Sequence, residues 1–283
     1  MARRTHLIAL GLTAAAPLLW STGGLGVRLL DHSPWVILFW RGVFMACTVL
    51  IWSIYTAQGG AGSRRLAAFV PALRHGGWVM VFISMSFILY VLSVKNTTVA
   101  DSLLIQGTAP IFIVVLGWIV LREPIRGVTV GALTAITIGI LVIMVPSLTH
   151  GGFSGNVFGL LKALVFAAGT ITIRRKKEIG LVPAMALAAA LSALVAAGVA
   201  AALGISLIVD RTSFLILLYL GAVQVGAGYI LFVSWSRLLE ASETGLLVIL
   251  EAVLGPIWVW IVLSERPSNT THVGGGIILA ALV

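Results

Sequence analysis

Residues 118–124 read Trp-Ile-Val-Leu-Arg-Glu-Pro, and residues 260–267 read Trp-Ile-Val-Leu-Ser-Glu-Arg-Pro. The two stretches begin 142 residues apart, about half the length of the chain. The register continues upstream, where the paired positions are Lys95 with Arg237, Ala100 with Ser242, Asp101 with Glu243, Ser102 with Thr244 and Leu104 with Leu246. This pattern predicts two copies of one structural unit, which we place at residues 1–146 and 147–283.

The composition is typical of a membrane protein. Of 283 residues, 60% are hydrophobic and only 10% are charged, and the mean hydropathy is +1.12. The apolar residues form runs of about twenty, the length that crosses a bilayer as a helix. We assign the net charge of +9 to basic loops rather than to nucleic-acid binding. The single cysteine, Cys47, lies in an apolar run and excludes an internal disulfide.

Ten apolar runs predict an all-α integral membrane protein with ten transmembrane helices. Their approximate bounds are 7–27, 34–55, 76–94, 99–120, 127–145, 155–173, 181–204, 213–234, 243–263 and 271–283. The N-terminus resembles a secretory leader, but its apolar run continues without a polar cleavage region, so we interpret it as the first membrane helix. The last run offers only about 20 Å of helix, so we expect the sequence to end inside that helix.

The loops predict the orientation. If the N-terminus is cytoplasmic, most of the basic loop residues lie on the cytoplasmic side, as membrane proteins prefer, and the C-terminus is cytoplasmic too. The long loop 57–76 carries Arg64 and Arg65, which we expect to lie on anionic headgroups of the lipid bilayer. Because each unit holds an odd number of helices, the second enters the membrane upside down. Inverted repeats are the basis of alternating access around a site at the membrane midplane.

The ends of the two units also resemble a known family. The residues that carry this resemblance are Leu121, Glu123, Gly131, Ala132 and Gly139 in the first unit, and Leu263, Glu265, Gly274 and Gly275 in the second. In this pattern a Leu-x-Glu ends the fourth helix and a Gly-rich fifth helix follows. It resembles the ten-span drug/metabolite transporter superfamily, in particular its EamA-type exporters. The basic, Trp-rich character is similar to the YddG-like exporters of aromatic and other amino acids. The second unit departs from the pattern by placing Arg266 between Glu265 and Pro267.

The resemblance implies secondary transport in the bacterial cytoplasmic (inner) membrane, without a cofactor. In agreement, the sequence has no Gly-rich phosphate loop for a nucleotide. Glycines at spacing four, such as Gly127 with Gly131 and Gly155 with Gly159, indicate close helix packing, within a monomer or across a homodimer.

Three ionisable residues fall inside predicted spans, where a charge is costly and therefore indicates function. Arg41 and Lys162 lie about 10 Å into their helices from the outer side, and Glu251 lies about 12 Å in from the cytoplasmic side. As substrate ligands, Arg41 or Lys162 would receive an anionic group, and Glu251 an ammonium or a coupling proton. Alternatively, the two basic side chains extend outward to water, or Glu251 pairs with Lys162 and meets no substrate.

Aromatic and polar residues near these charges complete the predicted cavity for a small-molecule substrate. The candidates are Trp20, Gln106 and Trp258, with Trp40, Tyr90, Gln224, Tyr229 and Trp235 as weaker ones. Three prolines inside spans, Pro17, Pro110 and Pro256, are candidate kinks or gating points.

These observations predict an exporter of small amphipathic metabolites, above all amino acids including aromatic ones. Export of organic cations or drugs is the alternative if Glu251 alone anchors the substrate. A channel would need rings of polar residues along a water path, which these spans lack. An intramembrane enzyme is disfavoured because the histidines and aspartates lie in tails, loops or span ends, and no metal site is predicted.

Overall fold

The computed structural model describes residues 2–55, 69–122, 124, 127–175 and 181–282, and every regular element in these residues is helical. We number ten long helical segments in chain order. They are α1 (Ala2–Ser21 and Gly23–Leu29), α2 (Pro34–Tyr55), α3 (Gly77–Asn96), α4 (Val99–Gln106, Ala109–Leu116 and the π-helix Gly117–Leu121), α5 (Gly127–His150), α6 (Phe153–Arg175), α7 (Leu181–Ala202), α8 (Arg211–Leu218, the π-helix Tyr219–Ala227 and Gly228–Trp235), α9 (Ala241–Leu263) and α10 (Asn269–Leu282). A short helix, Phe69–His75, precedes α3.

Eight segments, α1 to α8, are long and apolar enough to cross a membrane. In α9 the apolar stretch Leu247–Leu263 is shorter. The last helix, α10, has 14 residues, or about 21 Å, which is less than the thickness of the hydrocarbon core. The prediction of an all-helical, multi-pass membrane protein is confirmed.

Three segments that the sequence suggested as continuous helices are interrupted. The segment α1 breaks at Thr22 ahead of Gly23 and Gly24, and α4 breaks at Gly107 and Thr108. In α8 a π-helical stretch occupies residues 219–227. Glycine favours such interruptions because it adds backbone freedom and removes side-chain packing, whereas hydropathy counts only apolar residues and does not detect them.

The repeated motif ends two helices in the same way. Arg122 and Ser264 are the non-glycine residues with positive φ in the described chain, at 57° and 56°. Each is the C-cap of its helix, and its N–H donates to a carbonyl of the preceding turn. Because these positions are equivalent in the repeat register, the motif acts in both units as a left-handed helix terminator.

The starts of α8 and α9 are fixed by carboxylates. Asp210 accepts hydrogen bonds from the backbone N–H groups of Thr212 and Ser213, and hydrogen bonding from Ser213 lowers the pKa of the Asp210 carboxyl to about 2. Glu240 and Glu243 form a capping box at the start of α9. These caps satisfy the free N–H groups that the first turn of a helix exposes.

Helix packing has the symmetry expected of a duplicated unit. The contacts of α1 with α8 and α9, and of α2 with α8, are matched by contacts of α6 with α3 and α4, and of α7 with α3. The remaining major pairs join equivalent helices, namely α2 with α7, α4 with α9 and α5 with α10. In the last pair, Gly139 lies against Ile278 whereas Ile143 lies against Gly274, so α5 and α10 run antiparallel. This is the direction that an inverted repeat requires for equivalent helices.

The two ends of the bundle are packed differently. We call the end that carries Leu30, Val99 and Val259 the outer end, following the orientation predicted from the loops. There α1, α2, α3, α4, α7, α8 and α9 all contribute to one buried apolar cluster, which includes Val27, Leu30, Val94, Val99, Leu217, Leu220 and Val259. Toward the opposite, inner end, residues 229–235 of α8 and 247–252 of α9 are only partly buried. A second buried apolar cluster, toward the inner end, joins α2, α3, α7 and α8 and includes Met45, Val79, Ile83, Ala184 and Ala188. The outer cluster therefore includes α1, α4 and α9, whereas the inner cluster does not.

We predict that Gly139→Ala destabilises the protein by about 1–3 kcal/mol. A Cβ at this position would lie 2.7 Å from Ile278 Cγ1 and 2.8 Å from the carbonyl oxygen of Gly274, so the helices would have to separate. Thermal unfolding in detergent measures the effect. The matched control on the same helix is Gly131→Ala, whose Cβ would have no heavy atom within 4 Å. Equal stability of the two variants would contradict this account of the contact between α5 and α10.

Candidate functional site

A buried guanidinium lies at the centre of the site. Arg41 is 8% exposed, and its Nη2 donates to Gln224 Oε1 at 3.3 Å. Its Cζ lies 4.7 Å from the ring centre of Tyr90. Gln224 Nε2 in turn donates to the carbonyl oxygen of Trp20 at 3.1 Å. These contacts bring together four of the predicted site residues, from α1, α2, α3 and α8.

Local breaks in the helices make these contacts possible. The first helix of α1 ends one residue after Trp20, so the Trp20 carbonyl is free to accept from a side chain. Gly23 lets α8 approach, because a Cβ there would lie 2.6 Å from Gln224 Nε2. Gln224 itself sits in the π-helical stretch of α8, and such bulges often re-aim side chains at functional sites.

An aromatic wall borders this cluster. The Trp20 ring lies 5.0 Å from the ring of Tyr229 and 5.2 Å from that of Phe232. Gly228 provides the space for Trp20, since a Cβ there would lie 2.5 Å from Trp20 Nε1. All three rings are only partly buried, so the wall keeps some apolar surface accessible.

Three buried donor atoms around the cluster have no hydrogen-bond partner within the described residues. They are Trp20 Nε1, Arg41 Nε and Tyr90 Oη. Buried polar groups normally find a partner, because an unmade hydrogen bond is costly. Their convergence on one region is what a site for an anionic or polar group requires.

The remaining predicted charges lie in the same region. Glu251 interacts electrostatically with Lys162 and with Arg41, and Lys162 also with Arg41. No salt bridge within 4.0 Å joins them in the described chain, and Lys162 Nζ lies 5.3 Å from the ring centre of Phe166. Lys162 and Glu251 lie deep in the bundle and keep part of their surface accessible. Together with Arg41, they place two cations and one anion in one region of the bundle.

Other predicted site residues lie further from this cluster. Gln106 is buried and donates to Ser102 Oγ at 2.6 Å, and Ser102 pairs with Ser93 at 2.8 Å. Trp258 Nε1 donates to Ser21 Oγ at 2.9 Å, which ties α9 to α1 beside Trp20.

The three prolines differ in position. Pro17 is buried within the first helix of α1, Pro110 is exposed in the first turn after the break in α4, and Pro256 lies inside α9. Pro256 borders a groove between α9 and α10. Pro256 and Glu251 therefore lie on one helix, but only Pro256 borders this groove.

Sequence reasoning missed a second polar cluster, at the outer end. Glu265 Oε1 accepts from the backbone N–H of Val99 at 2.7 Å, and its Oε2 lies 3.2 Å from Arg28 Nε. Arg28 also donates to the carbonyl oxygen of Thr97. Glu265, marked in the sequence only as part of a terminal motif, thus fastens α1 and the start of α4 to the α9–α10 connection. Its repeat counterpart, Glu123, lies outside the described residues.

Among the described residues, no group of histidine, cysteine, aspartate and glutamate side chains is placed to hold a metal ion.

Comparison with known proteins bears on the whole chain. A sequence model of the EamA-like transporter family matches it twice, over residues 7–145 and again over residues 153–283. Among solved structures, one described only as "Crystal structure of protein" has a TM-score of 0.64 and 18% sequence identity, and the match covers 98% of this chain and 96% of that chain. At this identity the likeness shows the fold alone. No curated protein matches the chain.

We predict that Glu265→Gln opens the outer end more often, because the neutral amide loses the ion pair with Arg28. In a background with Cys47 replaced by serine, a cysteine reporter at Ser102 measures access of a membrane-impermeant thiol reagent from the outer face. The labelling rate should rise by roughly tenfold, the effect of losing one charge-assisted contact.

The control for this experiment is Glu240→Gln, which changes an exposed cap at the start of α9. It should leave the labelling rate unchanged. If Glu265→Gln and Glu240→Gln label alike, Glu265 does not hold the outer end closed.

Proposed function

This chain belongs to the EamA-like transporter family, and on that premise we propose that it is a secondary transporter that exports small amphipathic metabolites, above all amino acids including aromatic ones. Export proceeds by alternating access at the cavity bordered by Arg41, Lys162 and Glu251. The proposed frame is ten membrane-spanning helices in two inverted five-helix repeats, with both termini in the cytoplasm of a bacterium.

The observation that carries this proposal is the environment of Arg41. Its charge is buried and interacts electrostatically with Glu251, yet it forms no salt bridge that the structure describes. Its closest described contacts are neutral, namely the Gln224 amide oxygen and the face of the Tyr90 ring. A buried charge is costly unless a counter-charge and hydrogen bonds compensate it. A substrate carboxylate would supply that counter-charge and would also accept from the unpartnered Arg41 Nε and Tyr90 Oη.

The rest of an amino acid also finds chemically suited partners. Glu251 supplies a negative charge for the α-ammonium group. The wall of Trp20, Tyr229 and Phe232 offers apolar and aromatic surface for a side chain. A zwitterion suits the pattern of two cations and one anion, because each of its charges has an opposite charge to meet.

Export of organic cations is the second candidate, because Glu251 and the aromatic wall could bind a cation. The two positive charges of Arg41 and Lys162 act on the same region and repel such a substrate. We therefore place zwitterionic substrates first.

The difference between the two ends of the bundle supports alternating access. The buried apolar cluster at the outer end includes α1, α4 and α9, whereas the buried cluster toward the inner end does not include these three helices. Because the two repeats have equivalent packing partners, an exchange of their conformations would close the inner end and open the outer end. In the proposed cycle, this arrangement is the state that loads substrate from the cytoplasm.

We predict that purified protein in proteoliposomes transports labelled phenylalanine in a saturable manner, and that Arg41→Gln raises the KM by about 30-fold or more. Removing one partner of a desolvated charge pair costs about 2–5 kcal/mol. Arg41→Lys should recover part of the affinity, because it restores the charge but not the fork of donors. Flux that rises linearly with concentration would instead indicate a channel.

The matched control is Arg211→Gln, which removes the same charge from an exposed position at the start of α8. Its KM should equal that of the wild type. A wild-type KM in Arg41→Gln would exclude Arg41 from substrate binding. Uptake of a cationic dye in the absence of amino acid uptake would favour the second candidate.

Glu251 is the proposed coupling residue, since it is the anion that faces Lys162 and Arg41. If transport is coupled to protons through this carboxylate, an imposed pH gradient changes the wild-type rate. We predict that Glu251→Gln abolishes this response while the protein stays folded in the membrane. The measurement is the ratio of initial rates with and without the gradient, with Glu240→Gln as control. A response in Glu251→Gln equal to that of the wild type would remove Glu251 from the coupling.

A further inference from the structure

A groove lies where α4, α9 and α10 meet, apart from the polar cluster around Arg41. Its volume is about 310 Å³, and its lining includes Ala100, Leu104, Pro256, Trp260, His272 and Gly276. We propose that this groove binds one acyl chain of an anionic phospholipid, with the headgroup beside His272 and Arg266. The proposal concerns a lipid site and does not depend on what the protein transports.

The groove exists because two consecutive helices are held apart. In the described chain α9 and α10 share no extended contact, although each packs against α4. Gly275 brings α10 close to α4, since a Cβ there would lie 2.5 Å from Leu104 Cδ1. The next residue, Gly276, faces open space, with no heavy atom within 4 Å of an added Cβ. The floor of the groove is therefore α4, and residues of α9 and α10 form its two sides.

The chemistry of the groove favours an apolar chain. Its walls include the exposed side chains of Val253, Ile257 and Trp260. A space of this volume would hold about ten water molecules at liquid density. Water among apolar walls in the hydrocarbon region would lack hydrogen-bond partners. An acyl chain fills the same space and buries the walls.

The outer mouth of the groove favours a negative headgroup. His272 lines it, and His272 Nδ1 lies 2.8 Å from the carbonyl oxygen of Ser268. When Nδ1 donates to that carbonyl, the other ring nitrogen, Nε2, takes no part in this hydrogen bond. Arg266, beside the lining residue Pro267, is exposed and takes part in no ion pair that the structure describes. In the proposed complex, this exposed guanidinium next in sequence to the lining attracts the lipid phosphate at the level of the membrane surface.

The lipid would also act on the helix that carries Glu251. Pro256 removes a backbone hydrogen bond from α9 and borders the groove on the side away from α10. A chain in the groove supports α9 at this point, where the helix lacks one of its own bonds.

The test uses native mass spectrometry of the full chain, with dioleoylphosphatidylglycerol or dioleoylphosphatidylcholine added as probe. We expect the wild type to retain one phosphatidylglycerol in preference to phosphatidylcholine. Gly276→Leu should reduce the retained phosphatidylglycerol by about tenfold, because the leucine side chain occupies the space of the acyl chain. The matched control is Gly198→Leu on α7, also a glycine with no heavy atom near an added Cβ. It should retain lipid as the wild type does.

A second variant, Arg266→Gln, tests the headgroup without filling the groove. Its preference for phosphatidylglycerol over phosphatidylcholine should fall by about fivefold, the effect of one basic residue near an anionic surface. Equal retention of both lipids by the wild type would overturn the proposal, as would full retention by Gly276→Leu. If the wild type is a dimer that Gly276→Leu dissociates, a second copy of the chain fills the groove, and the lipid proposal fails.

Discussion

The arrangement around the site depends on the burial of the Arg41 charge within an apolar bundle. A guanidinium removed from water needs compensation from nearby groups, and here that compensation comes from an amide oxygen at 3.3 Å and an aromatic face at 4.7 Å. Gln224 can reach Arg41 because Gly23 lets α8 pack closely on α1, and because the π-helical stretch of α8 turns this side chain inward. The breaks in α1 and α8 thus have a common effect: both help to place polar groups around one buried cation.

The duplication explains the frame, whereas differences between the two units explain the site. The units share a left-handed helix terminator, at Arg122 and at Ser264, and their helix pairs correspond. Yet the contact of α1 with α8 places Gly23 against the polar Gln224, whereas the corresponding contact of α6 with α3 places Gly169 against Ile83. Both contacts join the two units, and one of them is polar whereas the other is apolar. A binding site can therefore be asymmetric within a bundle whose helix packing is symmetric.

Sequence reasoning identified the frame and most of the charged groups, and the reasons are physical. The length of the apolar runs indicates membrane helices, and the repeat register indicates the duplication. An ionisable residue inside a span stands out because a charge is costly there. Contacts across the fold leave no such trace, since Arg41 and Gln224 are 183 residues apart. Phe232 and Ser21 were missed because an aromatic ring and a hydroxyl in a membrane helix usually indicate packing. Glu265 was noticed as a motif, but its contacts with Val99 and Arg28 depend on how three helix ends meet.

The short helix Gly23–Leu29 has a consequence for how this protein can vary in sequence. Gly23, Gly24 and Gly26 each press against a neighbouring side chain, from Gln224, Val99 and Leu220 in turn, with no room for a methyl group. A methyl group at any of these three positions, which lie within about one helical turn, would therefore force a facing side chain to move. Substitutions in this region are better tolerated at the facing residues, which could be replaced by smaller side chains but not by larger ones. Sequence change near this segment therefore proceeds through the side chains that face it, while the backbone beneath them admits little change.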